Sequence, residues 1–190
     1  MKIVASKKND HGSGEKLPPV LCVAGFSGSG KTTLTVAMVA ALRRRGLRVG
    51  TIKHDVHGFD MDRPGKDSWR HKQAGAGVTI VTSPKQIGMV MDVEHDHQPL
   101  ELLPLMAGMD IVLVEGFKRA RLPKIEVYRP ETGKPPACKG DPYLLAVVSD
   151  APLDWGIPRY APDDTERLCD FILSRLLPSF AEVSVCGHAV

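Results

Sequence analysis

Aromatic residues are scarce in this sequence, and neither sign of charge dominates it. Phe, Trp and Tyr make up 5% of the 190 residues, and the formal net charge is only +3. Chains that bind DNA or RNA usually have a stronger basic excess, often interleaved with aromatic residues. Both shortages therefore argue against a nucleic-acid partner. With 43% hydrophobic residues, the chain is long enough for one α/β domain with a full core.

Long apolar runs and paired cysteines are also missing. No apolar run approaches the roughly 20 residues of a transmembrane helix, and the lysine-containing N-terminus has no apolar signal core. The four cysteines, Cys22, Cys138, Cys169 and Cys186, form no Cys-x-x-Cys pair. This spacing is typical of free thiols in a reducing compartment. We therefore expect a cytoplasmic protein without membrane contact.

One glycine-rich stretch carries most of the functional information. Residues 25–33 read Gly-Phe-Ser-Gly-Ser-Gly-Lys-Thr-Thr and match the pattern G-x-x-x-x-G-K-[ST] at every defined position. The three glycines allow backbone dihedrals that turn successive N–H groups inward, into a nest for an anion. The stretch therefore predicts a phosphate-binding loop. Its expected nucleotide-binding residues are Gly25, Ser27, Gly28, Ser29, Gly30, Lys31, Thr32 and Thr33.

Two side chains of this loop have separate expected roles. Lys31 is the cation for the β- and γ-phosphates, and the hydroxyl of Thr32 is the expected Mg²⁺ ligand. A helix beginning near Gly30 would add its unpaired N–H groups and the positive end of its dipole. Together they predict binding of a nucleoside triphosphate with Mg²⁺.

The flanks of the loop have the strand and the helix that this motif requires. Residues 20–24 form a short apolar run, as in a parallel strand buried on both faces.

We predict an α/β P-loop NTPase: a mostly parallel twisted sheet with helices on both faces and an inserted β-hairpin at 77–91. The predicted domain spans residues 18–178, between a flexible arm at 1–17 and a tail at 179–190.

A second apolar strand ends in an acidic residue. Residues 111–114 are four consecutive branched apolar residues, and Glu115 follows them. At about 3.3 Å per residue, Asp110 lies on the order of 16 Å from Glu115, at the end of the strand away from the phosphates. Glu115 is therefore the predicted Walker B carboxylate and a Mg²⁺ ligand, whereas Asp110 is expected to be a cap.

A long polar loop follows the second predicted strand, which ends at Lys53. Residues 54–67 contain several aspartates and are interrupted by glycine and proline, as in a lid or switch at the ligand edge of an α/β sheet. Asp62 is the aspartate of this loop that we expect to bind Mg²⁺ or its waters. His54 and His57 have neither a cysteine partner nor helical spacing, which disfavours a dedicated transition-metal site.

Several segments occur in an order that resembles a known family. They are 25–33, Ile52-Lys53-His54, Asp62–Ser68, Lys72–Ala76, Val114–Lys118 and Val148–Asp150. They resemble the molybdopterin-guanine dinucleotide biosynthesis adapter proteins, the B component of that pathway, and the resemblance runs from Leu17 to Leu177. It implies a homodimeric GTP-binding protein with weak GTP hydrolysis. It also implies that the protein assists the guanylyltransferase that joins GMP to the molybdenum-bound pterin.

The residues themselves do not explain a preference for guanine. The N-K-x-D pattern of Ras-like proteins is missing, and the nearest string, at residues 52–55, lies before the Walker B strand. Guanine preference therefore follows from the resemblance alone. Asp150, at the end of a later predicted strand, is our candidate for contact with the base.

Two functions remain open at this point. In the first, the protein is a nucleotide-dependent adapter whose loop 54–67 changes order with the γ-phosphate. Four basic residues then meet pterin phosphates or the transferase, unless they are an ordinary solvated surface: Lys66, Lys118, Arg119 and Arg121.

In the second, the protein is a stand-alone ATP-dependent kinase or ligase of the dethiobiotin-synthetase type. Lys53 and Glu115 would then place an acceptor against the γ-phosphate. No acceptor-pocket motif is evident in the sequence, which favours the adapter. We assign catalytic roles to Lys31, Lys53 and Glu115.

Overall fold

A parallel sheet organises the part of the chain that the computed structural model describes, residues 17–178. Six strands lie in the order β2-β5-β1-β6-β7-β8, and every neighbouring pair is parallel. They are β1 (Val20–Ala24), β2 (Val49–Lys53), β5 (Ile111–Glu115), β6 (Lys124–Val127), β7 (Leu144–Val148) and β8 (Arg159–Tyr160). The helices are α1 (Lys31–Arg44), α2 (Asp67–Gln73), α3 (Pro99–Leu102) and α4 (Thr165–Leu176). The predicted α/β class is confirmed.

The two faces of the sheet are covered differently. Helices α1 and α4 pack on one face, where Met38 and Ile172 contribute to the larger core. The other face is covered by Leu103, in the short 3₁₀ turn after α3, and by the partly buried Phe117. Strand β1 lies at the centre of the sheet and is buried along its whole length. Its residues are therefore all apolar, instead of alternating between apolar and polar.

The predicted hairpin is present, but it is a sheet of its own. Strands β3 (Val78–Thr82) and β4 (Ile87–Met91) pair with each other in antiparallel register and with no other strand among the described residues. The hairpin packs beside α2, and most of its residues are exposed. The insertion therefore extends from the domain without widening its main sheet.

Asp110 lies at the end of β5 opposite Glu115, as its position in the strand predicts. Its carboxylate accepts hydrogen bonds from the backbone N–H of Arg48, at 2.6 Å, and from the Arg48 guanidinium, at 2.9 Å. The hydrogen bonds from Arg48 lower the pKa of Asp110. Asp110 thus joins the start of β2 to the start of β5, away from the ligand edge.

Three of the cysteines are free and buried: Cys22, Cys138 and Cys169. Burial raises the pKa of each thiol to about 11. Within residues 17–178, no helix combines the length and the apolar character needed to cross a membrane. Cys186, the predicted tail and the predicted arm except Leu17 lie outside the described residues.

Candidate functional site

The phosphate-binding loop joins β1 to α1 at the carboxyl edge of the sheet. Gly25, Gly28 and Gly30 have φ values of 139°, 81° and 97°, in the region that favours glycine. A Cβ on Gly25 would lie 2.5 Å from the carbonyl oxygen of Val127 and 2.7 Å from Oγ of Ser29. No side-chain hydrogen bond caps α1 at Gly30. The first N–H groups of the helix are therefore left without a side-chain acceptor, as an anion site requires.

Lys31 bends back over its own loop. Its Nζ donates a 2.8 Å hydrogen bond to the carbonyl oxygen of Phe26. Burial is the main cause that lowers the pKa of Lys31, and the charge of Glu115 opposes this effect. Three neighbouring lysines lower the pKa further, namely Lys118, Lys134 and Lys53. Positive charge is thus concentrated around the loop.

Thr32 and Glu115 meet at the mouth of the loop. The hydroxyl of Thr32 donates a 2.8 Å hydrogen bond to Oε1 of Glu115. Strand register explains the meeting, because Glu115 pairs with Val23 of β1 on one side and with Lys53 of β2 on the other. A hydroxyl and a carboxylate oxygen are the hard ligands that Mg²⁺ prefers.

A cleft of about 580 Å³ lies over the loop and the ends of β2 and β5. Most of the predicted site residues line it: Gly25, Ser27, Gly28, Gly30, Lys31, Thr32, Lys53 and Glu115. Residues 54–57 and 116–118 complete the lining. Ser29 is buried beneath the loop, and its hydroxyl has no hydrogen-bond partner among the described residues. Thr33 is exposed in the first turn of α1.

Asp62 does not line this cleft. It lies in a separate groove beside β3, where its Oδ1 accepts hydrogen bonds from the hydroxyl of Ser68, at 3.0 Å, and from the backbone N–H of Arg63, at 2.8 Å. The carboxylate therefore orders the approach to α2. The expectation that Asp62 binds Mg²⁺ has no geometric support.

Asp150 lies at the same edge of the sheet but outside the cleft. It is exposed and follows β7, which is two strands from β1. At about 4.8 Å between neighbouring strands, that is on the order of 10 Å from the strand that carries the loop. The structure thus separates Asp150 from the phosphate-binding residues while keeping it on the ligand side.

Sequence reasoning missed two basic residues that approach the loop. The guanidinium of Arg129 lies 3.4–3.6 Å from the position that a Cβ of Gly30 would take. Nζ of Lys134 lies 3.4 Å from the carbonyl oxygen of Ser27. Both residues follow β6, which pairs with β1. The local pattern of residues 124–127 is compatible with a strand, but the pairing of that strand with β1 joins distant parts of the chain and no local pattern encodes it.

One of the two histidines that line the cleft, His54, contacts other side chains of the protein. Nε2 of His54 lies 3.0 Å from both carboxylate oxygens of Asp96, and its ring stacks on Phe117 with centroids 4.3 Å apart. Within residues 17–178, no group of three or more His, Cys, Asp or Glu residues could hold a metal ion. Mg²⁺ still fits Thr32 and Glu115, because it commonly takes one or two protein ligands and fills the remaining positions with water and phosphate oxygens.

The chain is similar to a known protein family over most of its length. The family model of molybdopterin guanine dinucleotide synthesis protein B matches residues 20–150. The molybdopterin-guanine dinucleotide biosynthesis adapter protein of Escherichia coli K12 is 38% identical in an alignment of 167 residues that covers 85% of this chain and 95% of the relative. Its counterpart in Haemophilus influenzae is 39% identical in an alignment of 159 residues that covers 81% of this chain and 87% of the relative. The crystal structure of Bacillus subtilis MobB has a TM-score of 0.67 at 28% identity and covers 83% of this chain and 98% of its own. The resemblance carried by the motifs is thus confirmed, and the chain belongs to the molybdopterin guanine dinucleotide synthesis protein B family.

Proposed function

We propose that this protein is a GTP-binding adapter of molybdopterin-guanine dinucleotide biosynthesis. The observation that carries the proposal is the 2.8 Å hydrogen bond between Thr32 and Glu115. It joins two oxygen ligands suited to Mg²⁺ at the mouth of a phosphate-binding loop. The E. coli and H. influenzae relatives, both named adapter proteins of this pathway, support the cellular role.

Different residues of the cleft bind different parts of Mg·GTP. N–H groups of the loop and of the first turn of α1 bind the phosphate oxygens. Lys31 leaves the carbonyl oxygen of Phe26 and pairs with the β- and γ-phosphates. Thr32 and Glu115 hold Mg²⁺, which when bound neutralises phosphate charge and orients the triphosphate.

Weak GTP hydrolysis is the second part of the proposal. Lys31 and Lys53 stabilise the negative charge that develops on the transferred phosphoryl group, and Glu115 keeps the metal in place. Asp150 is the proposed contact for the base. The guanylyltransferase and the molybdopterin-type cofactor are the proposed partners, and loop 54–67 signals the nucleotide state to them.

A homodimer formed through the hairpin also belongs to this proposal. Val78, Ile80, Ile87 and Met89 are 39%, 56%, 75% and 39% exposed. They share one face, because Ile80 pairs with Met89, and the next positions on that face are the pairs Val78 with Met91 and Thr82 with Ile87. A two-stranded sheet is only marginally stable alone in water. An apolar face of this kind marks an interaction surface, and we assign it to a second copy of the chain.

A cytoplasmic location fits the thiols. Cys22, Cys138 and Cys169 are buried with raised pKa values of about 11, so they are protonated at neutral pH. None of the three forms a disulfide with another described residue. Free buried thiols are usual for proteins of a reducing compartment.

One observation favours the alternative of an ATP-dependent kinase or ligase. A second cavity, of about 360 Å³, lies beside the Thr32–Glu115 pair, between α1 and β2. It is lined by Val36, Val39 and Lys53 among others, and an acceptor substrate held there would lie close to Glu115. Such an enzyme would form product stoichiometrically from ATP and a small acceptor, whereas an adapter would not.

The test measures nucleotide binding and phosphate release by the purified protein, with Mg·GTP and with Mg·ATP. We expect tight binding and slow release that prefer GTP. Lys31→Ala should weaken triphosphate binding and abolish turnover, because it removes the cation of the loop. Glu115→Gln should retain binding and lose hydrolysis, because the amide keeps the shape but weakens the hold on Mg²⁺.

Two results would contradict the proposal. Unchanged triphosphate affinity in Lys31→Ala would remove the assigned role of that lysine. Fast turnover of ATP, or a clear preference for ATP, would favour the stand-alone enzyme and its acceptor cavity.

A further inference from the structure

The ring of Phe26, the second residue of the phosphate-binding loop, contacts the ammonium groups of two lysines. Nζ of Lys118 lies 4.0 Å from the ring centroid, and Nζ of Lys134 lies 5.6 Å from it. Both distances are within the range of cation–π contacts. The two lysines come from different loops, which follow β5 and β6. Together with Lys31, three ammonium groups therefore converge on this one loop.

These two cations lack an anionic partner in the described part of the chain. Neither Lys118 nor Lys134 forms an ion pair with another of residues 17–178. Lys118 lines the cleft that holds Lys31 and Thr32. Like charges held this close repel one another, and an anion bound among them would remove the repulsion.

Hydrogen bonds from a buried side chain hold the backbone around Lys118 in place. Lys124 is fully buried, and its Nζ donates hydrogen bonds to the carbonyl oxygens of Lys118, at 3.2 Å, and Ala120, at 2.7 Å. Just before Lys118, Gly116 and Phe117 have φ values of 109° and 49°. A positive φ is uncommon for a residue other than glycine and persists where the surroundings hold it. Lys118 therefore extends from a constrained turn.

We propose that Lys118 and Lys134 bind the terminal phosphate of the nucleoside triphosphate and thereby distinguish GTP from GDP. This inference rests on the proposed function, since it assumes that the cleft binds a guanine nucleotide. Phe26 is a positioning residue: its ring holds both ammonium groups beside the loop before the phosphate arrives.

The physical reason is that a nucleotide switch needs contacts that only one nucleotide makes. The loop N–H groups and Lys31 contact phosphates that GTP and GDP have in common, as well as the γ-phosphate. A ligand shifts a conformational equilibrium only by its difference in affinity for the two states. Lys118 lies beside Phe26 and Lys134 beside Ser27, outside the set of groups that GTP and GDP share. Their positive charge is thus available to the terminal phosphate, which only GTP has.

The test compares the affinities for a non-hydrolysable GTP analogue and for GDP, both with Mg²⁺ and at one ionic strength. Lys118→Gln and Lys134→Gln should each weaken analogue binding about tenfold, as expected for a lost charge-assisted hydrogen bond, while GDP affinity changes less than about twofold. The ratio of the two affinities therefore falls in both variants.

Lys139→Gln is the matched control. Lys139 lies in the same loop as Lys134, but its Nζ packs 5.8 Å from the ring of Trp155 instead of Phe26. Its removal changes the net charge equally and should leave the affinity ratio unchanged. Phe26→Ala should lower the ratio of the two affinities as the lysine variants do. Phe26→Tyr should keep the wild-type ratio, because the aromatic ring is retained.

The outcomes separate this inference from the proposed function. If wild-type protein binds GTP but the ratio is unchanged in both lysine variants, the inference is wrong and the proposed function stands. If the wild-type protein binds neither guanine nucleotide, the proposed function fails and the inference fails with it. An unchanged ratio in Phe26→Ala would overturn the positioning role alone.

Discussion

Lys124 illustrates what a buried charge needs in order to be tolerated. Its side chain is fully buried, and Nζ donates to the carbonyl oxygens of Lys118 and Ala120 and, at 2.5 Å, to Oδ2 of Asp141. A lysine ammonium has three donors and no acceptor, so all three are used here. Lys124 thereby ties the turn after β5 to the loop before β7. Removing one partner of such a pair leaves the other charge uncompensated.

Asp141→Asn should therefore destabilise the protein by roughly 2–4 kcal/mol at pH 7, somewhat below the range for fully buried pairs because the Asp141 side chain is partly exposed. Partial burial raises the pKa of Asp141, but hydrogen bonds from Lys124 and from the backbone N–H of Tyr143 outweigh it and hold the pKa below its usual value. The stabilisation is thus present at neutral pH and is lost as the pH falls through the folded-state pKa. Urea unfolding at pH 7 and near pH 3 should show the wild-type and variant curves converging in acid.

Asp163→Asn is the control for this experiment. Asp163 is exposed and forms no ion pair with any other residue between 17 and 178. Its replacement should change the unfolding free energy by less than about 0.5 kcal/mol. A wild-type advantage over Asp141→Asn that stays constant from pH 7 to pH 3 would contradict the role given to the ion pair.

The hairpin is the element whose exposed face is hardest to explain in an isolated chain. Ile80 and Ile87 are 56% and 75% exposed on the same face. If two copies meet there, Ile80→Lys or Ile87→Lys would bury a charge in an apolar interface. Such burial costs about 3 kcal/mol or more, which weakens dimerisation by over a hundredfold. Size-exclusion chromatography with light scattering should therefore show a dimer for the wild type and a monomer for each variant.

Leu100→Lys provides the comparison, because Leu100 is 55% exposed on α3, outside the hairpin. This variant should remain dimeric. A wild-type protein that is monomeric at micromolar concentration would contradict the assignment, as would Ile80→Lys and Ile87→Lys variants that both remain dimers.

Elements with a strong local pattern were predictable, and those set by distant pairing were not. The runs at 20–24 and 111–114 are apolar because both faces of their strands are covered, so these strands, and the position of Glu115 at the end of the second one, could be predicted from the sequence. The polar loop 54–67 has no periodicity, and the choice of Asp62 among its aspartates was not supported. Lys134 contacts Ser27 across 107 residues of chain, and no local pattern encodes that contact.

At the scale of the whole molecule, the phosphate-binding loop lies where the main structural elements meet. Strand β1 pairs with β5 on one side and β6 on the other, and α1 begins directly after the loop. Glu115 ends β5, and Lys118 and Lys134 lie in the loops that follow β5 and β6. A nucleotide held by all of these groups can bind only when the sheet is assembled. Binding should therefore stabilise the domain as a unit.

This coupling predicts a thermal shift that reports the nucleotide. At about 100 times its dissociation constant, a ligand that binds only the folded state adds roughly 2.7 kcal/mol. For a chain of this size, each kcal/mol raises Tm by about 2–4 °C, so Mg·GTP should raise it by roughly 5–10 °C. Differential scanning calorimetry should show this rise for the wild type, a smaller one with EDTA present and none for Lys31→Ala at the same GTP concentration. An equal rise with Mg·ATP at the same concentration would contradict guanine preference, because a site that distinguishes the bases must be stabilised less by the weaker ligand.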